Sequence, residues 1–174
     1  QCWHLWKIRS YRLLDNDQPN QLMKIFTKYF ATLFGIGFIS LAPGTFGSMF
    51  AILIWYVFID LFSIFYFIAL FLFVLSVSFY LTDIYLDNYK KKDPSEVIVD
   101  EFLGQSIPLL FIVNFNIYEI LISFVTFRFF DIYKIYPINK IEDLKGSYGV
   151  ILDDIVAGIY SLIILMLYKI LILL

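Results

Sequence analysis

The sequence predicts an all-α fold: a polytopic integral membrane bundle of about four to five membrane helices, preceded by an N-terminal interfacial or re-entrant segment. Of the 174 residues, 61% are hydrophobic and only 16% are charged, whereas soluble domains are about 45–50% apolar and about 25% charged. The mean hydropathy is +0.81. Apolar residues also fall in long runs separated by short polar segments, as membrane helices require. The length suits a single domain.

Residues 1–22 are polar and unpatterned, and they do not resemble a signal peptide. We expect them to form an extension of doubtful function, outside a single membrane domain at residues 23–174. Residues 24–34 are basic and apolar. They predict a short helix that lies at the interface or dips into it.

Residues 35–48 are rich in Gly, Ser and Pro, which predicts a loop that turns into a helix near Gly47 and Ser48. Residues 49–81 are almost entirely apolar and too long for one span of about 20 residues. Because Asp60 interrupts this run, we expect a tight hairpin of two helices there.

Two shorter apolar runs follow a polar segment, at residues 97–113 and 117–130, with Asn114 and Asn116 marking a turn between them. Both are short for full spans, so these helices are expected to extend into flanking segments or to lie partly in the interface. Residues 150–174 predict a long final span in which the Lys169 side chain can snorkel.

Basic residues place three polar segments on one membrane face. They are Lys24 and Lys28 before the glycine-rich segment, Lys90, Lys91 and Lys92 after the hairpin, and Arg128, Lys134, Lys140 and Lys145 around the last polar segment. The positive-inside rule assigns this face to the cytoplasm. One helical hairpin separates each of these segments from the next, which also places all three on the same face. Asp60 and the turn at residues 114–116 fall on the opposite face.

Two acidic dipeptides lie in matching apolar contexts, VIVDEFLG at residues 97–104 and VILDDIVAG at residues 150–158. Their acids are Asp100 and Glu101 in the first, and Asp153 and Asp154 in the second. A carboxylate at the centre of a membrane helix costs about 2.5 kcal/mol or more. Four of them need a compensating partner, and a divalent cation is the obvious one.

Adjacent helix residues point about 100° apart, so one acid of each pair can face the bundle. Gly104 and Gly158, about one turn further on, allow two helices to approach closely. Oxygen ligands on close helices suit Mg²⁺, which binds one or two carboxylates together with substrate phosphate. The alternative is that these acids only cap helix N-termini, where negative charge is favoured.

Arg128, Asp131 and Lys134 are spaced so that they form one ridge if the helix continues. A guanidinium can hold a phosphate bidentately, and a lysine acts as a point charge. Asp131 would orient Arg128 or join the metal. The alternative is anchoring at the membrane boundary with an internal ion pair.

Residues 42–48, APGTFGS, precede a long helix. Amides at a helix N-terminus form an anion site, to which Thr45 and Ser48 would add hydroxyl donors. The alternative is a plain loop with helix caps. The segment is not a Walker A loop, because the Gly-Lys-Ser/Thr ending is missing.

The missing residue types narrow the mechanism. The only histidine is His4 and the only cysteine is Cys2, both in the N-terminal extension. A phosphohistidine, phosphocysteine or Ser-His-Asp mechanism therefore lacks its key residue. A hydrolase of this sequence must use a metal-activated water or a carboxylate nucleophile. The net charge of −2 gives no basic patch for nucleic acid.

These segments together resemble the phosphatidylglycerophosphatase A family of membrane lipid phosphatases. The resemblance rests on SLAPGTFGS (40–48), IVDEFLGQSI (98–107), FRFFDIYKIYPI (127–138) and KGSYGVILDDIVAGIY (145–160), in the family's order. It implies Mg²⁺-dependent hydrolysis of the phosphomonoester of phosphatidylglycerophosphate to phosphatidylglycerol and phosphate. It also implies a multi-pass protein of the bacterial inner membrane, with its active site facing the cytoplasm and membrane lipids around it.

The resemblance carries functional positions onto this chain residue by residue. These are Pro43, Gly44, Thr45, Gly47, Ser48, Asp100, Glu101, Gly104, Arg128, Asp131, Lys134, Pro137, Gly146, Gly149, Asp153, Asp154 and Gly158. The family's Lys-Pro-Trp-Pro is Lys134-Ile135-Tyr136-Pro137 here, and Ser106 replaces an aromatic residue. No charged position is lost, so these departures concern the fit of the lipid rather than activity.

We therefore expect a catalytic set of carboxylates and basic residues. The expected metal ligands are Asp100, Glu101, Asp131, Asp153 and Asp154, with Asp100 and Asp154 innermost. Arg128, Lys134 and the segment from Pro43 to Ser48 are expected to bind the phosphate. The rival interpretations are a small membrane carrier that uses buried carboxylates as an ion or proton relay, and a scaffold that holds anionic lipid. The oligomeric state and the acid of each pair that touches the ion stay open.

Overall fold

The computed structural model describes residues 21–89 and 94–173, and within them the protein consists of helices and irregular segments, without a strand. This confirms the predicted fold class. The expectations for residues 1–20, including Cys2 and His4, and for Lys90, Lys91 and Lys92 lie outside the described residues. The helices are α1 (Gln21–Ala31), α2 (Pro43–Leu61), α3 (Ile64–Tyr89), α4 (Val99–Leu109), α5 (Ile117–Tyr133), α6 (Ile138–Ile141) and α7 (Ser147–Leu173), with a 3₁₀ turn at Ile36–Phe38.

Three of these helices, α2, α3 and α7, are long and apolar enough to cross a membrane. At 1.5 Å per residue, α4 with 11 residues is about 16 Å long and α5 with 17 residues about 25 Å. Both fall short of a hydrocarbon core of about 30 Å. Of the expected extensions into flanking segments, α4 shows none, because it lies within its apolar run, and α5 continues three residues past its run, to Tyr133.

The predicted hairpin is present, because α2 ends at Leu61 and α3 begins at Ile64, immediately after Asp60. The expected start of α2 near Gly47 is wrong. The helix begins at Pro43, since proline fits the first helical position, where its missing N–H costs nothing. Ala42 precedes it with a φ of 52°.

The helix α3 extends to Tyr89, through part of the polar segment that precedes the third apolar run. Its last turns stay helical because Thr82, Tyr85 and Leu86 are buried against the rest of the bundle. The final span also begins earlier than expected, at Ser147 rather than at residue 150. A side chain of α3 caps its first turn, since the Ser147 amide donates a hydrogen bond to Asp83 Oδ1 at 2.7 Å.

The short helix α4 lies at the centre of the bundle, and ten of its eleven residues are buried. It packs against α2 on one side and α7 on the other, while α5 packs on α7. Gly104 and Gly158 face each other where α4 crosses α7. A Cβ atom built on Gly158 would collide with the Gly104 carbonyl oxygen, and one built on Gly104 would collide with Phe127. The two helices therefore touch backbone to backbone, as their glycines predict.

The end of the bundle near the α4–α5 turn is held by side chains that bond to main-chain oxygens. The fully buried Trp55 donates its indole Nε1–H to the carbonyl oxygen of Ile112 at 3.2 Å. Lys169 Nζ donates to the carbonyl oxygen of Phe111 at 2.8 Å and lies 2.8 Å from Glu119 Oε2. The Lys169 ammonium thus reaches the turn where α4 gives way to α5.

Candidate active site

A cavity of about 550 Å³ opens at the other end of the bundle. It is bounded by the first turn of α2, the first turn of α4, the last turns of α5 and the first two turns of α7. All the predicted acids and both predicted phosphate-binding cations line it. Its lining includes Pro43, Asp100, Glu101, Arg128, Asp131, Lys134, Glu142, Gly146, Gly149, Asp153 and Asp154.

Three of the five acids meet in this cavity. One carboxylate oxygen from each of Asp100, Glu101 and Asp154 lies within 4.8 Å of the other two. Asp100 and Asp154 are buried, and Glu101 Oε2 has no hydrogen-bond partner among the described residues. Three close carboxylates, two of them buried and one with an unused oxygen, match the hard oxygen ligands that Mg²⁺ prefers.

Burial governs the ionisation of the two acids in α4, a helix too short to cross the membrane. Burial, followed by the charge of Glu101, raises the pKa of Asp100 well above its ordinary value. Burial also raises the pKa of Glu101 to about 7, against the opposing effects of a hydrogen bond to Asp100 and the charge of Arg128. A bound cation would offset both costs, because it favours the ionised carboxylates.

The helix-capping alternative fits only the first dipeptide. Asp100 and Glu101 lie in the first turn of α4, and Asp100 Oδ1 accepts a hydrogen bond from the Glu101 amide at 3.1 Å. Asp153 and Asp154 lie beyond the first turn of α7, which begins at Ser147. The N-terminal dipole falls off within the first turn, so capping does not account for the second pair.

The second dipeptide divides its two acids between different partners. Asp154 joins the carboxylate cluster, whereas Asp153 Oδ2 accepts a hydrogen bond from Lys134 Nζ at 3.0 Å. Asp131 is likewise paired, with Arg128 Nη1 2.5 Å from its Oδ2. The structure thus brings Asp100, Glu101 and Asp154 together, and gives Asp131 and Asp153 cationic partners at the cavity wall.

The expected ridge of three charged residues is only partly right. Arg128 and Asp131 lie one turn apart on α5, but the helix ends at Tyr133 and Lys134 adopts a left-handed conformation with a φ of 44°. This turns the Lys134 side chain back across the cavity, towards Asp153. The ridge fails because α5 does not continue past Tyr133.

Lys134 is held by two carboxylates, Asp153 and Glu142, whose Oε1 lies 2.6 Å from Nζ. Burial lowers the pKa of Lys134, but hydrogen bonds to Glu142 and Asp153 outweigh it and leave the pKa above its ordinary value. The ammonium is therefore charged at neutral pH. Sequence reasoning missed Glu142, because it lies in a polar segment with several other charged residues and nothing marks it out.

The glycine-rich segment contributes a close approach rather than an extended loop. A Cβ on Gly44 would collide with the Glu101 carboxylate and lie 3.0 Å from Arg128 Nη1, so this residue touches both. Pro43 lines the cavity. Gly47 packs against Ile98, and the buried Ser48 hydroxyl donates to the Gly44 carbonyl oxygen at 2.9 Å. Ser48 thus uses its hydroxyl within α2.

The positive end of α2 points at this group of charges. Thr45, the next residue after Gly44, is half-buried, and its amide donates to the carbonyl oxygen of Ala42 at 3.0 Å. The first amides of a helix carry partial positive charge and attract anions. The cavity therefore combines three carboxylates, two cations and a helix N-terminus, which suits a cation and a phosphate bound side by side.

Comparison with known proteins assigns this chain to a family. Residues 29–169 match the family model described as phosphatidylglycerophosphatase A. A protein of Bacteroides thetaiotaomicron named putative phosphatidylinositol-3-phosphatase is 39% identical over 77% of this chain and 87% of its own length. Proteins named phosphatidylglycerophosphatase A are each 32% identical: that of Haemophilus influenzae over 75% of this chain and 81% of its own, and that of Escherichia coli over 74% of both. No solved structure matches the chain.

Proposed function

Because the chain belongs to the phosphatidylglycerophosphatase A family and is therefore a membrane-associated phosphatase, we propose that it hydrolyses phosphatidylglycerophosphate with the help of Mg²⁺. The products are phosphatidylglycerol and inorganic phosphate. The observation that supports this best is the cavity, in which three clustered carboxylates lie beside Arg128 and Lys134.

Asp100, Glu101 and Asp154 are the residues that would hold the ion. When bound, Mg²⁺ supplies Lewis-acid chemistry, because it neutralises phosphate charge and lowers the pKa of a water molecule. The carboxylates fit such an ion, since they are close together, Asp100 and Asp154 are buried, and Glu101 Oε2 has no hydrogen-bond donor among the described residues. Asp131 and Asp153 contribute by holding Arg128 and Lys134 in place.

The basic residues face the transferring phosphoryl group. Arg128 has a buried Nε with no hydrogen-bond partner among the described residues, so this N–H is available to a phosphate oxygen. Lys134 presents a charged ammonium held between Glu142 and Asp153. The N-terminus of α2 adds its partial positive charge where Gly44 lies beside Arg128. Phosphoryl transfer depends mainly on positioning and on neutralising charge, and these groups provide both.

The name of the Bacteroides relative supports a second candidate substrate, phosphatidylinositol 3-phosphate. Both candidate lipids carry a phosphomonoester on a polar head, so the same cavity chemistry serves either. They differ in the size of the alcohol that leaves. Assays with the two lipids side by side assign the substrate.

We also propose that the cavity faces the cytoplasm in a bacterial inner membrane. The described basic residues Lys134, Lys140 and Lys145 lie at the cavity end of the bundle, which the positive-inside rule places inside the cell. This is the face on which water, Mg²⁺ and a lipid head meet. An ion or proton relay would need acids distributed across the membrane, whereas these cluster at one end.

The test is phosphate release from each lipid by the purified protein in detergent, with Mg²⁺ and with EDTA. We expect activity with Mg²⁺ and none with EDTA, and loss of activity in Asp100→Asn and Asp154→Asn. Asp60→Asn is the matched control, because Asp60 is exposed at the far end of α2. Full activity in EDTA would remove the metal from the proposal, and wild-type activity in both site variants would remove the ligand assignment.

A further inference from the structure

A second, apolar groove lies on the side of the bundle where α2 and α5 face each other. Its volume is about 270 Å³. Every side chain that lines it is aliphatic, aromatic or methionine. The lining residues are Met49, Ile52, Leu53, Trp55, Tyr56, Phe115, Ile117 and Ile120.

Two ridges of side chains connect this groove with the charged cavity. On α2 the residues Thr45, Met49, Ile52 and Tyr56 follow each other at intervals of four, three and four positions, which places them on one face of the helix. Thr45 follows Gly44, the residue that touches Glu101 and Arg128 in the cavity.

The ridge on α5 leads back to the cavity in the same way. Ile117, Ile120, Phe124 and Arg128 are separated by three, four and four positions and so share one face. Arg128 lines the cavity and the two isoleucines line the groove. The charged site and the apolar groove therefore lie at the two ends of the crevice between these ridges of α2 and α5, which we call the track.

The length of this track matches one leaflet of a bilayer. Thr45 and Tyr56 are eleven positions apart, or about 16 Å along the helix axis at 1.5 Å per residue. Half of a hydrocarbon core of about 30 Å is about 15 Å. The groove also has a floor, because the rings of Tyr56 and Phe115 pack edge to face with centroids 5.7 Å apart.

The track is open towards the membrane. The central helix α4 lies between α2 and α5, so these two make few direct contacts. The lining side chains Met49, Tyr56, Phe115 and Ile117 stay 43–60% exposed.

The opposite flank of the cavity, in contrast, is closed. There α3 and α7 are joined by the packed rings of Phe79 and Tyr148, with centroids 5.2 Å apart, and by the contact between Asp83 and the Ser147 amide. A lipid entering from the bilayer thus meets an open side between α2 and α5, whereas the described residues of α3 and α7 close theirs.

We propose that this groove holds one acyl chain of the lipid whose phosphomonoester occupies the cavity, an inference that rests on the proposed function. A chain gains little affinity on moving from the bilayer into an equally apolar groove. Its effect is positional, because a chain seated against the floor fixes how deep the phosphate lies, and misplacement of reacting groups slows a reaction steeply. The groove therefore sets a preference for long-chain lipids.

Ile117→Trp fills the deep end of the groove, and Ile163→Trp is its matched control on α7. The two isoleucines are 48% and 50% exposed, and Ile163 lines neither the cavity nor the groove. We measure kcat/KM for dipalmitoyl and dihexanoyl forms of phosphatidylglycerophosphate. Ile117→Trp should lower the ratio of long-chain to short-chain kcat/KM by about five-fold or more, with short-chain activity unchanged, and Ile163→Trp should leave the ratio unchanged. Equal ratios in both variants would overturn the groove assignment.

A second measurement does not depend on turnover. The full chain in vesicles is irradiated with a phosphatidic acid, or with a phosphatidylcholine, that carries a diazirine at the end of one acyl chain. The phosphomonoester lipid should label residues 49–56 and 115–120 more heavily than the choline lipid does. Equal labelling by the two lipids would show ordinary membrane lipid at this surface and refute the proposal. Absence of phosphate release from both the dipalmitoyl and the dihexanoyl substrates would instead refute the proposed function, and the labelling would still report on the groove.

Discussion

Lys134 links the backbone conformation of a single residue to the charge balance of the site. Its left-handed conformation ends α5 and directs Nζ between Glu142 and Asp153. Non-glycine residues adopt this conformation uncommonly, and surrounding contacts maintain it. The two carboxylates therefore hold both the chain direction and the ammonium in place.

We expect Lys134→Ala to lower kcat/KM by about 10²-fold, the usual effect of losing one group that stabilises developing charge. Lys140 provides the control, because its ammonium lies over the Tyr136 ring, 5.2 Å from the centroid. Lys140→Ala should retain nearly full activity. Steady-state phosphate release measures both variants, and comparable losses in the two would indicate a general effect of positive charge at this end.

At the scale of elements, the crossing of α4 and α7 brings the acids of two distant segments together. Gly104 and Gly158 allow the backbones to touch, and Asp154 lies one turn before Gly158. The spacing of the carboxylates thus depends on residues with no side chain.

Gly158→Ala should destabilise the bundle, since the new methyl would collide with the Gly104 carbonyl oxygen. Overpacking typically costs about 1–3 kcal/mol, which for a chain of this size lowers Tm by about 2–12 °C. The adjacent Ile159, which is 42% exposed, provides the control: Ile159→Ala should change Tm much less. Thermal unfolding in detergent compares them, and equal Tm values for Gly158→Ala and wild type would show that the crossing can relax.

A second prediction at this scale concerns the junction of α3 and α7. Asp83 accepts the Ser147 amide in the first turn of α7, so Asp83→Ala should cost about 1 kcal/mol, as loss of a helix cap does. The expected fall in Tm is about 2–4 °C. The exposed Asp87 lies one turn further along α3, and Asp87→Ala should leave Tm unchanged. The same fall in both variants would attribute the effect to surface charge.

The sequence was sufficient to predict the helices and the residues that line the cavity, but not every contact between them. The matching acidic dipeptides, and the even number of helices between the polar segments, predicted that Asp100, Glu101 and Asp154 lie at one end of the bundle. The structure places them together there. The pairing of Lys134 with Glu142 depends on a backbone reversal that side-chain spacing cannot reveal.

Pro43 was sufficient to predict the early start of α2, because proline strongly prefers the first helical position. The cap that Asp83 supplies to α7 could not be predicted from the sequence. It joins segments more than sixty positions apart, and no local pattern in either segment indicates the other.

At the scale of the whole molecule, the acid cluster lowers the stability of the fold unless the proposed cation is bound. Three carboxylates within 4.8 Å of one another are unfavourable without a compensating charge, because like charges at close range repel. A ligand that binds only the folded state stabilises it by an amount that grows with concentration, about 2.7 kcal/mol at one hundred times Kd.

We therefore expect opposite effects of Asp154→Asn in the two conditions. In EDTA the variant should unfold at a higher temperature than wild type, because one buried acid has been removed. Addition of Mg²⁺ should raise the unfolding temperature of the wild type and change that of the variant little. Thermal unfolding with Mg²⁺ or EDTA tests this, with Asp60→Asn expected to follow wild type. Equal Mg²⁺-induced shifts in Asp154→Asn and wild type would contradict the prediction.

Trp55 gives the protein an optical reporter in the lining of the acyl groove. Its indole is fully buried, bonded to the Ile112 carbonyl oxygen, and part of the groove lining. With Trp3 and Trp6 replaced by phenylalanine, it would be the single tryptophan of the chain. Its fluorescence would be quenched by bromine atoms on a seated acyl chain, so lipid entry could be followed in real time, separately from the chemical step.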